Sequence, residues 1–270
     1  MAENVVPLVR NAHEWTGTKL DFLELYLPAF VRATRKARSR YYVDGFAGPG
    51  RNVIEGVERD GSPLIALNAA DAFSGYHFVE FDAPKFRSLQ QHVQRHERSE
   101  LVRLHQGDFN DAIEYILPEI PSRSPTLFLL DPEGLELKFS TIERIAAREK
   151  ADLFVLVSAS GVARNLDQPH VHPLIDSFLG GPGWQDAYER FRDGTRPGGQ
   201  TRFEFIMQYY LARLADLGFE VTEYILASNS KRVPLHALVF AVKSDKPGAA
   251  LHIASDVVRR LRSRNQTPLF

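Results

Sequence analysis

Apolar and polar positions follow two different periods along this chain, and the switches between them mark out its elements. From His13 to Arg40 the apolar residues Leu20, Leu23, Leu25, Leu27, Phe30 and Val31 share one broad side, which predicts a long helix. Tyr41-Tyr42-Val43 then reads as a short buried strand, and the stretch from Asp44 to Gly50 places three glycines within six residues. A strand interior does not tolerate that density, so a tight turn is expected. A charged loop from Arg51 to Gly61 follows, and then Ser62 as N-cap with Pro63 at the first helical position, opening a helix to about Phe73.

Strand and helix periods alternate beyond that point. Strands are expected at about 76–81, 101–106, 125–131 and 151–157, with amphipathic segments at about 84–98, 109–119 and 139–149. This rhythm implies right-handed crossovers and a parallel sheet covered on both faces. A Gly/Pro-rich interval containing Gly180-Gly181-Pro182-Gly183 and Pro197-Gly198-Gly199 breaks the pattern and is expected to be a surface insertion, helical or loop, at about 160–200. After it come a helix from Thr201 to Leu217 stopped by Gly218, two extended runs, Glu220 to Ala227 and Leu235 to Val242, and a last helix from Gly248 to Arg264. The connection between the two runs is too short for a parallel crossover, so they pair antiparallel.

Composition narrows the functional classes. The 270 residues are 44% apolar, which suits a single domain with one continuous core and an N-terminal helical segment over 1–40. With 33 basic and 34 acidic side chains the net charge is −1, so any affinity for a polyanion must come from a local patch. Arg32 to Arg40 holds five cations and is the one such candidate, although cations at a helix C-terminus also answer the helix dipole. There is no cysteine, which excludes disulfides, thiolate metal sites, a cysteine nucleophile and radical chemistry on a thiolate-held iron–sulfur cluster in this chain. No stretch has the length and apolarity of a membrane span or a signal peptide, and the expected setting is cytoplasmic, without a membrane. His92 and His96 stand at helical metal-ligand spacing without a third ligand nearby, and no metal is assigned.

Five parallel strands followed by an antiparallel pair resemble the class I S-adenosylmethionine (SAM)-dependent methyltransferases. More narrowly, the chain resembles the three-Cys-motif partner (TcmP) family. The residues that carry this are Trp15 and Lys19, Tyr42 to Gly50, Gly61-Ser62-Pro63-Leu64, Phe78-Val79-Glu80, Gly107-Asp108, Leu130-Asp131-Pro132 and Pro234 to Phe240. Two positions depart from it: Glu133-Gly134 stands where the family has Phe-Gly after Asp-Pro, and His236 where Tyr is expected. The resemblance implies an α/β, Rossmann-like methyltransferase fold with a seven-stranded sheet ordered 3-2-1-4-5-7-6, SAM as cofactor, and a cysteine-motif protein as partner.

Ligands of open α/β sheets bind at the carboxyl ends of the strands, and the acids of this chain fall on that edge. Glu80, with Asp82 as fallback, is expected to grip ribose hydroxyls. Asp108 is expected to accept from an adenine amino group with Phe109 beside the ring. Asp44 and the turn Gly45, Phe46, Gly48 and Gly50 would hold the methionine part. Asp131, Glu133 and Lys19 are the candidates for orienting or deprotonating a methyl acceptor, and Arg51 and Arg164 for binding its phosphate or carboxylate. Each acid before a helix could equally be an N-cap. The expected activity is methyl transfer to an N or O acceptor, with nucleic acid as one acceptor class. Three rivals are a non-catalytic SAM- or nucleotide-binding partner protein, a NAD-dependent oxidoreductase, and a nucleic-acid-binding or processing protein acting through Arg32 to Arg40.

Overall fold

Seven strands form the sheet that organises the molecule in this computed structural model, which describes residues 9–12, 14–70, 73–193, 199–228, 233–244 and 248–264. In chain order the elements are β1 (Arg10–Ala12), α1 (Glu14–Ala33), β2 (Tyr41–Asp44), β3 (Arg51–Ile54), β4 (Val57–Asp60), α2 (Ser62–Asn68), β5 (Gly75–Glu80) and α3 (Ala83–Gln94). They continue with β6 (Val102–Gln106), α4 (Phe109–Glu119), β7 (Thr126–Leu130), α5 (Phe139–Ala146), β8 (Ala151–Val157), α6 (Ala159–Asn165), α7 (His172–Leu179) and α8 (Trp184–Arg192). The chain closes with α9 (Arg202–Asp216), β9 (Glu220–Ser228), β10 (Pro234–Lys243) and α10 (Gly248–Arg264).

The main sheet runs β6-β5-β2-β7-β8-β10-β9, the first five strands parallel and β10 antiparallel to both neighbours. Counted along the chain this is the order 3-2-1-4-5-7-6, the mixed sheet of the class I methyltransferase fold. Successive strand positions face opposite sides. Strand β7 accordingly gives Leu127 and Leu129 to a core under α1, α2, α3 and α10, and Phe128 and Leu130 to a core under α4 through α9. All five residues of β7 are buried, as in a parallel strand covered on both faces.

Three expectations need correction. Helix α1 ends at Ala33, not Arg40. Beyond it a helix would stack Arg32 over Lys36 and Arg35 over Arg38, and like charges at those spacings oppose continuation. The segment instead closes with the Thr34 hydroxyl donating to the Phe30 carbonyl (2.8 Å) and turns toward β2. The charged loop Arg51–Gly61 is a hairpin, β3 and β4, whose turn residues Glu55 (φ 51) and Gly56 (φ 78) are both left-handed as a two-residue hairpin turn demands. With β1 parallel to β3 it makes a second, three-stranded sheet. At α2 the N-cap is Gly61 rather than Ser62, whose hydroxyl serves the Asp44 carboxylate instead.

Among the described residues of the interval at 160–200 are the three α-helices α6, α7 and α8. Helix α8 turns Trp184, Tyr188 and Phe191 into the core, and the Trp184 indole donates to Asp176 (2.7 Å). Gly180 closes α7 with a left-handed φ of 82°. Among the described residues no helix is long and apolar enough to cross a membrane.

Candidate active site

The carboxyl ends of β2, β5, β6 and β7 surround a cavity of about 410 Å³, within the range of small-molecule sites. Its walls come from consecutive strand exits: Gly45, Phe46 and Gly48 after β2; Glu80, Phe81, Asp82 and Lys85 around the end of β5; Gly107, Asp108 and Phe109 after β6; Asp131, Glu133 and Glu136 after β7.

The turn after β2 fits its place through two glycines. At Gly45 a Cβ would lie 2.9 Å from the Phe109 ring, so only glycine lets the strand end pass under α4. Gly48 has a φ of +65° and open space where a Cβ would stand, and its backbone faces the cavity bare. The Gly48 amide donates to Glu80 Oε2 (2.7 Å) and the Asp82 amide to Glu80 Oε1 (2.8 Å). These bonds fix the orientation of a carboxylate that is only 8% exposed, and each oxygen keeps a lone pair for a ligand hydroxyl.

Asp82 and Asp108 line the cavity and are also helix N-caps. Asp82 accepts from the Lys85 amide (2.9 Å), and Asp108 Oδ1 accepts from the Asn110 amide (2.8 Å) and side chain (2.7 Å). Phe109 is buried and packs at 5.9 Å from the Phe46 ring.

Asp131 stands at a partition. It lines the large cavity and also a smaller one of about 40 Å³ beneath the start of α1, whose polar lining includes Thr16, Lys19, Asn52 and Ser62. Lys19 donates to Asp131 in a largely buried ion pair. His236, at the start of β10, feels the same pair: burial lowers its pKa, the Lys19 and Arg164 charges lower it further, and Asp131 opposes them. Glu133 is exposed and accepts from Lys85 (3.0 Å) at the cavity mouth.

Four expected ligand residues are not in the cavity wall. Asp44 is fully buried beneath the turn, accepting from the Phe46 amide (3.3 Å) and the Tyr42 hydroxyl (3.4 Å). Burial raises its pKa to about 7, against the hydrogen bonds from Ser62 and Phe46 that favour the charged form. Gly50 (φ +92) packs against His92, and its carbonyl accepts from the Gly61 amide (2.7 Å), so it anchors the turn. Arg51 pairs with Glu58 (2.6 Å) and Asp60 (3.3 Å) within the hairpin, and Arg164 is exposed on α6.

Phe81, Lys85 and Glu136 line the cavity without having been singled out from sequence, and Gly107, named there only within the Gly107-Asp108 motif, lines it too. Phe81 is absorbed there into the apolar run of its strand, yet it is 76% exposed, an aromatic face offered at the cavity rim. Lys85 carries a signal that could have marked it, because a cation in the first turn of a helix opposes the helix dipole. In total the wall presents six carboxyl side chains and one lysine.

No protein-family model and no curated protein matches the sequence. The structure is similar to that of the Legionella pneumophila protein LPL1258, of family DUF519, at 10% identity over 92% of this chain and 91% of that one, with a TM-score of 0.60. It is more distantly similar to a Klebsiella pneumoniae protein assigned as an O-methyltransferase (14% identity, 82% and 79% covered, TM-score 0.48). Another is M. jannaschii TYW2 in complex with AdoMet (10% identity, 79% and 75% covered, TM-score 0.38). The first likeness concerns the fold alone, and the other two are too distant to carry an argument.

Proposed function

We propose that this protein is a SAM-dependent methyltransferase acting on an N or O acceptor. The observation that carries the reading is the crevice itself: the bare Gly48 backbone, the clamped Glu80 carboxylate, Asp108 and the Phe81 and Phe109 rings converge over the carboxyl ends of a 3-2-1-4-5-7-6 sheet. Glu80 would take the ribose hydroxyls with its remaining lone pairs, Asp108 Oδ2 a polar edge of the adenine, and Phe81 and Phe109 its faces. Charge supports the choice among adenosyl ligands. SAM carries a sulfonium, an ammonium and one carboxylate, a net cation, and suits six acids facing one lysine; the pyrophosphate of NAD would be repelled by them.

When bound, SAM would supply an electrophilic methyl group. The chain's own task is then alignment, and Asp131 is placed for it at the boundary between the two cavities. Its carboxylate would accept a hydrogen bond from the acceptor N–H or O–H, with Lys19 holding it oriented. Calorimetry tests the reading: SAM binds the parent, Glu80→Ala loses at least tenfold in affinity, and a folded parent that ignores high-micromolar SAM overturns it.

One observation favours a second reading, a SAM-binding partner of a cysteine-motif protein that does not turn over. On the acceptor side the space is only about 40 Å³, and Asp131 is already engaged by Lys19. Under that reading Asp131→Ala leaves SAM binding and biological output unchanged, whereas under the first it abolishes methyl transfer.

A further inference from the structure

The N-terminal edge of the sheet, opposite the crevice, carries the segment that the proposed function leaves unused. Tyr41, Gly75 and Thr126 are the first residues of three adjacent parallel strands and lie in register. The basic segment is fastened to that edge: the Tyr41 amide donates to the Pro125 carbonyl (3.0 Å), the Arg40 amide to the Ser74 hydroxyl (3.1 Å), and Ser39 and Ser124 share a hydrogen bond of 2.6 Å. Within the segment the Arg35 amide reaches the Arg32 carbonyl (3.4 Å) and the Ala37 amide the Thr34 carbonyl (2.8 Å), so its cations project from a tied turn.

Arg32, Arg35, Lys36 and Arg38 are exposed. Among the described residues no carboxylate pairs with any of them or with Arg40, whose buried Nε also lacks a partner. Many other arginines of the described chain are matched, including Arg51, Arg59, Arg123, Arg144 and Arg202. Five unneutralised cations in nine residues thus stand out on a protein of net charge −1. Four of the five are arginines, whose planar forks suit phosphate. Between them lie only Ala33, Thr34, Ala37 and Ser39, with no aromatic or long aliphatic side chain that could enter a bilayer, which separates this surface from a membrane-binding one.

We propose that Arg32, Arg35, Lys36, Arg38 and Arg40 form a docking surface for the sugar-phosphate backbone of a polynucleotide, on the edge of the sheet remote from the crevice. The contact is to phosphates and is sequence-independent. Because the two sites lie at opposite ends of the strands, the polynucleotide held here is tethered, and its binding does not compete with a crevice ligand.

Fluorescence anisotropy with a labelled 20-nucleotide single-stranded DNA and an RNA of the same sequence tests this on the full chain. Binding of either is expected in the micromolar range near 0.1 M salt, with log K falling against log salt at a slope of about −3 to −4, since each neutralised phosphate of a single strand contributes about −0.7. The variant R32A/R35A/K36A/R38A should lose at least tenfold in affinity and bring the slope to within about 1 of zero, while a saturating adenosyl ligand changes neither. All four positions are solvent-exposed, and a thermal melt verifies that the variant folds. The proposal is overturned if neither oligonucleotide binds the parent, if the variant binds as the parent does, or if vesicles containing phosphatidylserine bind and the oligonucleotides do not. None of these outcomes depends on whether SAM binds.

Discussion

Single residues decide whether the crevice exists, and the two glycines of the turn after β2 that face it do so for different reasons. A methyl group at Gly45 would drive into the Phe109 ring and Leu130, at 2.9 and 3.1 Å. Gly45→Ala is therefore expected to cost about 1–3 kcal/mol, measured as a lower urea midpoint. At Gly48 there is room for the methyl but not for the backbone angle, so Gly48→Ala should cost about 1 kcal/mol of stability and also crowd the ligand face. The crevice charge gives a further test. Methyl loss turns the cationic SAM into neutral S-adenosylhomocysteine, so raising salt from 0.05 to about 0.5 M should weaken SAM more than the product. Equal salt dependence of the two would show that the six carboxylates do not act on the sulfonium. Asp44 shows what a linear reading of the residues could not supply. Its place at a strand end is visible in sequence, but it stands two positions after Tyr42 and so faces the same core, under α1 and α2.

At the scale of elements, what was legible followed how strongly burial dictates the pattern. The parallel strands and their crossover helices are readable because Leu127 to Leu130 or Leu153 to Val157 must be apolar on both faces. Hairpin β3–β4 was not readable, since Arg51 pairs with Glu58 and Asp60 across the strands, Arg59 pairs with Asp21 on α1, and only Asn52 and Ile54 are buried. Helix α8 was legible only in part. Its flanking glycines and prolines suggest a surface loop, while its three aromatics, spaced at 184, 188 and 191, mark a buried helical stripe. Trp184→Ala should then cost about 3–5 kcal/mol in denaturant unfolding, the loss typical of a core tryptophan, whereas a surface insertion would tolerate it within about 0.5 kcal/mol.

For the whole molecule, two carboxyl groups tie stability to pH. Asp44 and Asp152 are buried and burial raises each to about 7, Asp152 while it accepts from the Tyr26 hydroxyl (2.8 Å). Both pKa values lie above that of an unfolded aspartate, so the folded state binds the extra protons. Their contribution is complete below about pH 4 and is lost as the pH rises through about 7. Asp152→Asn keeps the acceptor for Tyr26 but cannot ionise. Its urea midpoint should gain on the parent between pH 5 and pH 8, and an unchanged difference would exclude this coupling. Strand β7, giving alternate side chains to the two cores, sets one more property. Melting of either half alone would strand in water one apolar face of the same four residues, Leu127 to Leu130. Unfolding is therefore expected to be a single transition, the same by fluorescence and by circular dichroism, and a ligand held at the strand tips should raise the melting temperature of α9 and α10 together with that of the turn it touches.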